Sequence, residues 1–226
     1  MNTTVLYSQA GIATQIMISV EEDYFIIDTG DGTLRDLLCE KIDLRKIKGI
    51  FLTHGHCDHI AGLYALLGYF RIVERECPIN IYFPKGCKEA QQIIFAFKEN
   101  YNDISFKIQT HKVKGGDEVK IEDLKVKIYQ MRHYAAVGVN RILHPDPAVG
   151  YRFIYKGESV AISGDTGICL GLKKLVQGAD LALIDSTLNK DEETKELLEK
   201  LHLSKEKAEE IGKLAKKYIL IHRQYK

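Results

Sequence analysis

The sequence predicts an α/β protein in which two mixed β-sheets pack face to face with helices outside, a four-layer αββα sandwich. Strand patterns and strand–loop–helix units occur in both halves of the 226 residues, as a layered α/β domain requires. No Pro-, Gly- or Ser-rich linker and no repeat divides the chain, so we expect one domain over residues 1–226. With 45% hydrophobic and 28% charged residues the chain can bury a core without disulfides, which excludes a disordered or fibrous protein.

The first half is predicted to alternate strands and helices. Residues 14–20 and 23–29 are apolar, β-branched runs that predict a hairpin, and residues 49–53 predict the next buried strand. Apolar residues recur at helical spacing over residues 60–70, so a helix is expected after a His-rich loop. A further strand at residues 80–84 leads into a second amphipathic helix. Functional groups collect at such strand–loop–helix junctions.

The second half is predicted to be richer in strands. Residues 104–131 favour β-structure, and residues 134–148, which hold two of the 4 prolines, predict an irregular loop. Residues 149–164 predict a hairpin, and residues 179–185 predict a buried strand. A helix over residues 205–217 and a final strand are expected to close the chain.

Charge and cysteine content argue against several classes of function. The net charge of +1 lacks the basic excess that a nucleic-acid backbone binder carries. No run approaches the roughly 18 apolar residues needed to span a bilayer, and the N-terminus lacks a signal-peptide pattern, so we expect a cytoplasmic protein without a membrane partner. The 5 cysteines include no CxxC pair, so neither a disulfide framework nor a thiolate zinc site is predicted.

Residues 54–59 read His-Gly-His-Cys-Asp-His and directly follow a predicted strand. Imidazole nitrogens and carboxylate oxygens bind zinc and related divalent ions at about 2.0–2.2 Å. Alternate placement lets His54 and His56 reach one ion, while Asp58 and His59 turn toward a second. A chance cluster on a solvated loop is the alternative, but three histidines beside one aspartate have little use in packing. The segment therefore indicates a metal site.

Other short motifs accompany this loop: IIDTG at 26–30, GYRF at 150–153, SGDTG at 163–167 and LIH at 220–222. Together with the HxHxDH loop, they resemble the motifs of the metallo-β-lactamase superfamily, most closely its branch of ribonuclease Z and related phosphodiesterases. The resemblance covers nearly the whole chain. It implies the metallo-β-lactamase fold and a metal-dependent hydrolase that acts on ester bonds.

The resemblance also implies two divalent metal ions. Nitrogen and oxygen ligands favour zinc, with manganese or iron as alternatives. The matching residues are His54, His56, Asp58, His59, the bridging Asp165, His222 and one further histidine. That histidine is His133, which directly follows a predicted strand, or His144, which has the family's spacing to the following Gly-Tyr-Arg. We favour His133, because a strand end holds a ring more firmly than a loop next to proline.

Two residues match catalytic positions of the family. Asp58 is implied as the base that orients and deprotonates the attacking water, which the metal ions activate. His202 matches the acid that protonates the leaving oxygen, and Asp185 matches the acidic residue that could hold its ring. A surface histidine ahead of a helix cap is the alternative for His202.

One departure from the family bears on the substrate. Bacterial members that process tRNA carry a long arm between the GYR strand and the GDT turn, whereas only Ile154 to Ala161 join those strands here. With the near-neutral charge, this favours a small phosphodiester or nucleotide-type substrate over extended RNA. The alternatives are a thioester, lactone or lactam hydrolase of the same superfamily, or a metal-binding scaffold without catalysis. The sequence is also compatible with a homodimer.

Overall fold

The computed structural model describes residues 1–137 and 141–224. The chain divides into two compact units, an N-terminal unit, Met1–Lys112, and a C-terminal unit, Val113–Lys226. Each has a six-stranded sheet and helices of its own, which is the α/β content that the sequence predicts. The prediction of one domain over residues 1–226 stays a prediction. No helix within the described residues is long and apolar enough to cross a membrane.

The sheet of the N-terminal unit has the strand order β1-β2-β3-β4-β5-β6. Its strands are β1 (Asn2–Gln9), β2 (Ala13–Val20), β3 (Asp23–Ile27), β4 (Ile47–Phe51), β5 (Ile79–Pro84) and β6 (Ile108–Val113). Strands β1 to β3 pair antiparallel, whereas β4 is parallel to both β3 and β5. The predicted hairpin and both predicted central strands are confirmed. The carboxyl ends of β3, β4 and β5 consequently lie at one edge of the sheet.

Four helices belong to this unit: α1 (Thr33–Cys39), α2 (Cys57–Ile60), α3 (Leu63–Ile72) and α4 (Lys88–Asn100). Helix α3 buries Leu63, Leu66, Leu67 and Phe70, which recur at the helical period and therefore form one apolar face. These side chains pack in a core with residues of β4 and β5, Ile50 among them. The helix predicted after the His-rich loop is thus confirmed, and its packing holds that loop at the sheet edge.

The sheet of the C-terminal unit has the order β14-β13-β12-β11-β8-β7, and β9 and β10 form a separate hairpin. The strands are β7 (Glu118–Ile121), β8 (Leu124–Gln130), β9 (His133–Val137), β10 (Arg141–Asp146), β11 (Val149–Tyr155), β12 (Glu158–Ile162), β13 (Leu181–Asp185) and β14 (Tyr218–Ile221). The helices are α5 (Leu170–Val176), α6 (Lys195–Lys200) and α7 (Lys205–Gly212). Strands β12, β13 and β14 are mutually parallel, so their carboxyl ends share one edge.

Two predictions for this unit were wrong in detail. Residues 134–148 were expected to be irregular, yet β9 and β10 pair antiparallel, with Pro145 opposite Tyr134. The hairpin forms because Tyr134 and Ile142 pack against a cluster that includes Leu197 of α6, a contact that local propensity does not reveal. The last helix ends at Gly212 rather than at residue 217. Residues 138–140 of the predicted loop lie outside the described residues.

Candidate metal centre

The N-terminal unit carries the histidine loop at the carboxyl end of β4. His54 and His59 are fully buried, and Asp58 is 8% exposed. The ring centroid of His54 lies 4.6 Å from that of His56 and 4.1 Å from that of His59. His59 Nε2 lies 3.9 Å from Asp58 Oδ2. Several nitrogen and oxygen donors therefore converge in a place shielded from water. This donor chemistry fits a divalent cation.

The Asp-Thr-Gly segment after β3 holds the loop in place. Thr29 N donates to His59 O at 2.7 Å, and Gly62 N donates to Thr29 O at 2.8 Å. A Cβ atom on Gly30 would lie 2.4 Å from the carbonyl oxygen of Asp58, so only glycine allows this approach. Asp58 Oδ2 in turn accepts a hydrogen bond from Gly11 N at 2.9 Å. The loop is thus positioned by backbone contacts from two other strand ends.

Asp28 orients His59 from beneath the loop, a role that the sequence analysis missed. Its carboxylate accepts hydrogen bonds from Thr53 N at 2.7 Å and Thr53 Oγ1 at 2.8 Å, and it lies 2.7 Å from His59 Nδ1. A protonated Nδ1 donates to this carboxylate, so the lone pair of the ring is on Nε2, the atom available to a metal ion. The sequence contained a signal for this role, because Asp28 is the acidic residue of the IIDTG motif. In the structure its backbone is left-handed, with a φ of 58°.

The C-terminal unit gathers a second group of donors at the shared edge of β12, β13 and β14. Asp165, Asp185, His202 and His222 each offer a ligand atom, and these atoms all lie within 4.8 Å of one another. Asp185 is the last residue of β13, and His222 directly follows β14. Asp165 is three residues past the end of β12, and His202 is two residues past the end of α6. Parallel strands thus bring together carboxylates and imidazoles that are far apart in the sequence.

His202 and Asp185 form a hydrogen-bonded pair within this group. His202 Nδ1 lies 3.0 Å from Asp185 Oδ2, and Asp185 also accepts from Thr187 N and Thr166 N. Burial disfavours the charged imidazolium, but the Asp185 carboxylate outweighs burial and raises the pKa of His202. Burial likewise opposes ionisation of Asp185, but the charge of His202 prevails and lowers the pKa of that carboxyl. The pair therefore favours a protonated imidazole beside an ionised carboxylate.

His133 and not His144 lies with these donors. His133 is 2% exposed, its Nδ1 donates to Leu201 O at 3.0 Å, and its ring centroid lies 5.1 Å from that of His202. The side chain of His144 is 70% exposed, and its Nδ1 lies 3.2 Å from Asp146 Oδ1. The strand-end histidine therefore has the burial and the fixed ring that a ligand needs.

His222 is held in a similar way at the end of β14. Its Nδ1 lies 2.8 Å from Thr187 Oγ1 and 3.3 Å from Asp165 Oδ1. The Thr187 hydroxyl lies 2.5 Å from Asp185 Oδ1 and 2.7 Å from His222 O. Its one proton is donated to these oxygens, so the hydroxyl oxygen accepts from the His222 ring. The site residues predicted from the sequence thus form two clusters, His54, His56, Asp58 and His59 in the N-terminal unit, and His133, Asp165, His202 and His222 in the C-terminal unit.

The fold and these clusters define a class of protein. Residues 24–222 match the model of the beta-lactamase superfamily domain, so the chain belongs to the beta-lactamase superfamily. The superfamily binds divalent metal ions, typically two, which confirms the predicted class of cofactor.

Within that superfamily, the chain is similar to ribonuclease Z. It is 30% identical to ribonuclease Z of Methanothermobacter thermautotrophicus, over 92% of this chain and 80% of the relative. The crystal structure of the short form of human tRNase Z matches with a TM-score of 0.82 and 24% identity, covering 99% of this chain and 93% of that one. Zinc-bound PqqB from Methylobacterium extorquens matches with a TM-score of 0.75 and 18% identity, covering 99% and 89%. These matches confirm the predicted fold class and the ribonuclease Z-like, metal-dependent hydrolase class.

Proposed function

We propose that this chain is a zinc-dependent phosphodiesterase that hydrolyses small or nucleotide-type phosphodiesters. The observation that carries the proposal is the His202–Asp185 pair beside Asp165 and His222. Hydrolysis of a phosphodiester expels an alkoxide, which needs a proton as the phosphorus–oxygen bond breaks. A protonated imidazole fixed by a carboxylate is suited to that task at neutral pH.

The proposed metal ligands are those of the family resemblance: His54, His56, Asp58, His59, His133, Asp165 and His222. Support comes from the burial of His54, His59, His133 and His222, and from the hydrogen-bonded Nδ1 atoms of His59, His133 and His222. When bound, the two ions would lower the pKa of a water molecule and offset the charge that develops on phosphate oxygens. Zinc is proposed because five of these seven ligands are imidazoles, which suit zinc, and the other two are carboxylates, which zinc also accepts.

The chain's own residues divide the remaining work. Asp58 accepts the proton of the attacking water and orients it, so that the water oxygen forms a bond to phosphorus. His202 has Nδ1 occupied by Asp185, so it donates its Nε2 proton to the leaving oxygen as that oxygen departs from phosphorus. Asp185 stabilises the imidazolium before transfer and keeps the ring in one orientation.

The proposed substrate is small because the connection between β11 and β12 is short. Tyr155 pairs directly with Glu158, so a two-residue turn stands where bacterial tRNA-processing members of the family have an arm. Ribonuclease Z relatives act on RNA, and a short RNA end or a cyclic phosphate agrees with both observations. The β11–β12 turn therefore offers no arm to which extended RNA could bind.

The test compares two phosphodiesters that differ in their leaving groups. In an aryl ester such as bis-p-nitrophenyl phosphate, the p-nitrophenolate group leaves without being protonated. In a nucleoside 2′,3′-cyclic phosphate, the leaving group is an alkoxide, which needs a proton. In zinc-loaded protein, His202→Gln is expected to reduce kcat for the cyclic phosphate by about 10²–10⁴ and to affect the aryl ester far less. His144→Gln, an exposed histidine of the same unit, serves as the control. Equal losses on both substrates would assign His202 a purely structural role.

The same assays distinguish the alternatives. A lactone, thioester or lactam hydrolase would turn over its carbonyl substrate while leaving both phosphodiesters intact. A non-catalytic scaffold would release no product from any of them, with or without chelator. Either result would overturn the proposed function.

A further inference from the structure

A groove of about 790 Å³ runs along the C-terminal unit and reaches His133. Its walls are the turn at residues 115–116, the end of β8, the start of α5 and the β9–β10 hairpin. Ligand pockets typically measure about 300–1,000 Å³, so the groove has room for a nucleotide. Because the proposed metal ligand His133 is one of its lining residues, the groove lies next to that part of the proposed metal centre.

The acidic residues of the groove already have partners. Glu118 Oε1 lies 3.3 Å from Lys125 Nζ, and Asp117 accepts a backbone N–H at 2.9 Å. Asp146 Oδ1 lies 3.2 Å from His144 Nδ1. The negative charge of these side chains is therefore partly compensated within the protein itself.

Three basic residues line the groove, and one of them, Lys127, is the direct cross-strand partner of the acidic Glu118. The other two, Arg132 and Lys174, are different. Among residues 1–137 and 141–224, neither the Arg132 guanidinium nor the Lys174 ammonium has an ion pair or a side-chain hydrogen bond. The backbone of Arg132 is nevertheless fixed, because its N–H donates to Thr166 Oγ1 at 3.3 Å and its carbonyl accepts from Gly167 N at 2.8 Å. On its other side Arg132 borders a smaller cavity lined also by Glu199, which lies 4.0 Å from Lys195. Arg132, an exposed cation, is thus the residue that directly precedes His133 in the sequence.

We propose that Arg132 and Lys174 bind a phosphate group of the substrate other than the one that is cleaved. The preferred substrate is then a phosphodiester of a nucleotide that carries a second phosphate, as at the end of a short oligonucleotide. A guanidinium presents a planar fork of donors that suits phosphate oxygens, and an ammonium adds a point charge. No internal ion pair has to break when this phosphate binds. The inference rests on the proposed function for the identity of the cleaved bond.

Binding is tested first, without catalysis. Isothermal titration calorimetry compares thymidine 3′,5′-bisphosphate with thymidine 5′-monophosphate, on zinc-loaded protein and on protein treated with chelator. We expect the bisphosphate to bind roughly tenfold more tightly, the size of a charge-assisted phosphate contact. Arg132→Gln combined with Lys174→Gln should remove the preference, and higher ionic strength should weaken it. Lys173→Gln, the adjacent lysine of α5 outside the groove, is the matched control and should keep it.

Kinetics then connects the groove to turnover. The substrates are the p-nitrophenyl ester of thymidine 5′-phosphate with and without a 3′-phosphate, and the readout is the ratio of their kcat/KM values. The wild type should favour the phosphorylated ester about tenfold, and the double variant should favour neither. A wild-type protein that hydrolyses both esters equally, or a preference that survives in the double variant, would refute the groove assignment. If no ester is hydrolysed, the proposed function fails, and calorimetry still decides whether the groove binds a second phosphate.

Discussion

Replacing Asp28 by Asn tests how the metal loop is oriented. In the native protein one carboxylate oxygen accepts from Thr53 N at 2.7 Å, and the other lies 2.7 Å from His59 Nδ1. If the Asn oxygen keeps the bond to Thr53 N, its NH₂ group faces His59 Nδ1, which must then accept rather than donate. The ring proton moves to Nε2 and blocks the atom that would hold the metal ion. Asn tolerates a left-handed φ, so the 58° at this position adds no new strain.

The expected loss is about 10- to 100-fold in zinc affinity, the range for removal of a residue that orients a metal-bound histidine. Zinc affinity is measured by competition with a chromophoric chelator at pH 7.5. Asp23→Asn is the control, since Asp23 is at the other end of β3, the strand that Asp28 follows, and its carboxylate lies 3.7 Å from Lys48 Nζ. A D28N protein that binds zinc within twofold of the wild type would contradict the assigned role of Asp28.

Three further substitutions test a buried cation, a pH dependence and a ligand. Arg75→Met removes a 1% exposed guanidinium that donates to five backbone carbonyls, and urea unfolding should show a loss of about 3–4 kcal/mol. A loss under 1 kcal/mol would show that water reaches those carbonyls. The hydrogen bond that Lys216 Nζ donates to Asp180 Oδ1 at 2.7 Å lowers the pKa of Asp180 to about 2, so ionised Asp180 stabilises the fold above pH 4. Because Asp180 is a third exposed, Asp180→Asn should cost only about 1 kcal/mol at pH 7, and the difference should vanish as the pH falls toward 2. A gap that persists at pH 2 would exclude this ionisation as its cause. His133→Ala should lower the zinc content measured by elemental analysis, whereas His144→Ala should leave it unchanged; the opposite pattern would reverse the choice between them.

The histidine loop could be predicted because its chemistry is contiguous. Residues 54–59 place three imidazoles and a carboxylate within six positions after a β-strand, and the strand–loop–helix pattern around them depends only on local periodicity. The IIDTG and SGDTG motifs were equally visible, since each is a short run at the end of a strand. The prediction of an irregular loop over residues 134–148 was wrong. It was based on two prolines in the local sequence, whereas the hairpin is stabilised by the packing of Ile142 against α6, a segment distant in the sequence.

The sequence by itself therefore determined the fold class, the family and the segments that carry the donors. Only the tertiary structure decided which donors are buried, how their rings are held and which acids lie beside them. It brought Asp28 to His59 across 31 positions and Asp185 to His202 across 17, and it separated His133 from the exposed His144. The physical reason is that ring orientation and pKa depend on neighbours from other strands, and parallel pairing at a sheet edge selects those neighbours without regard to their distance in the sequence.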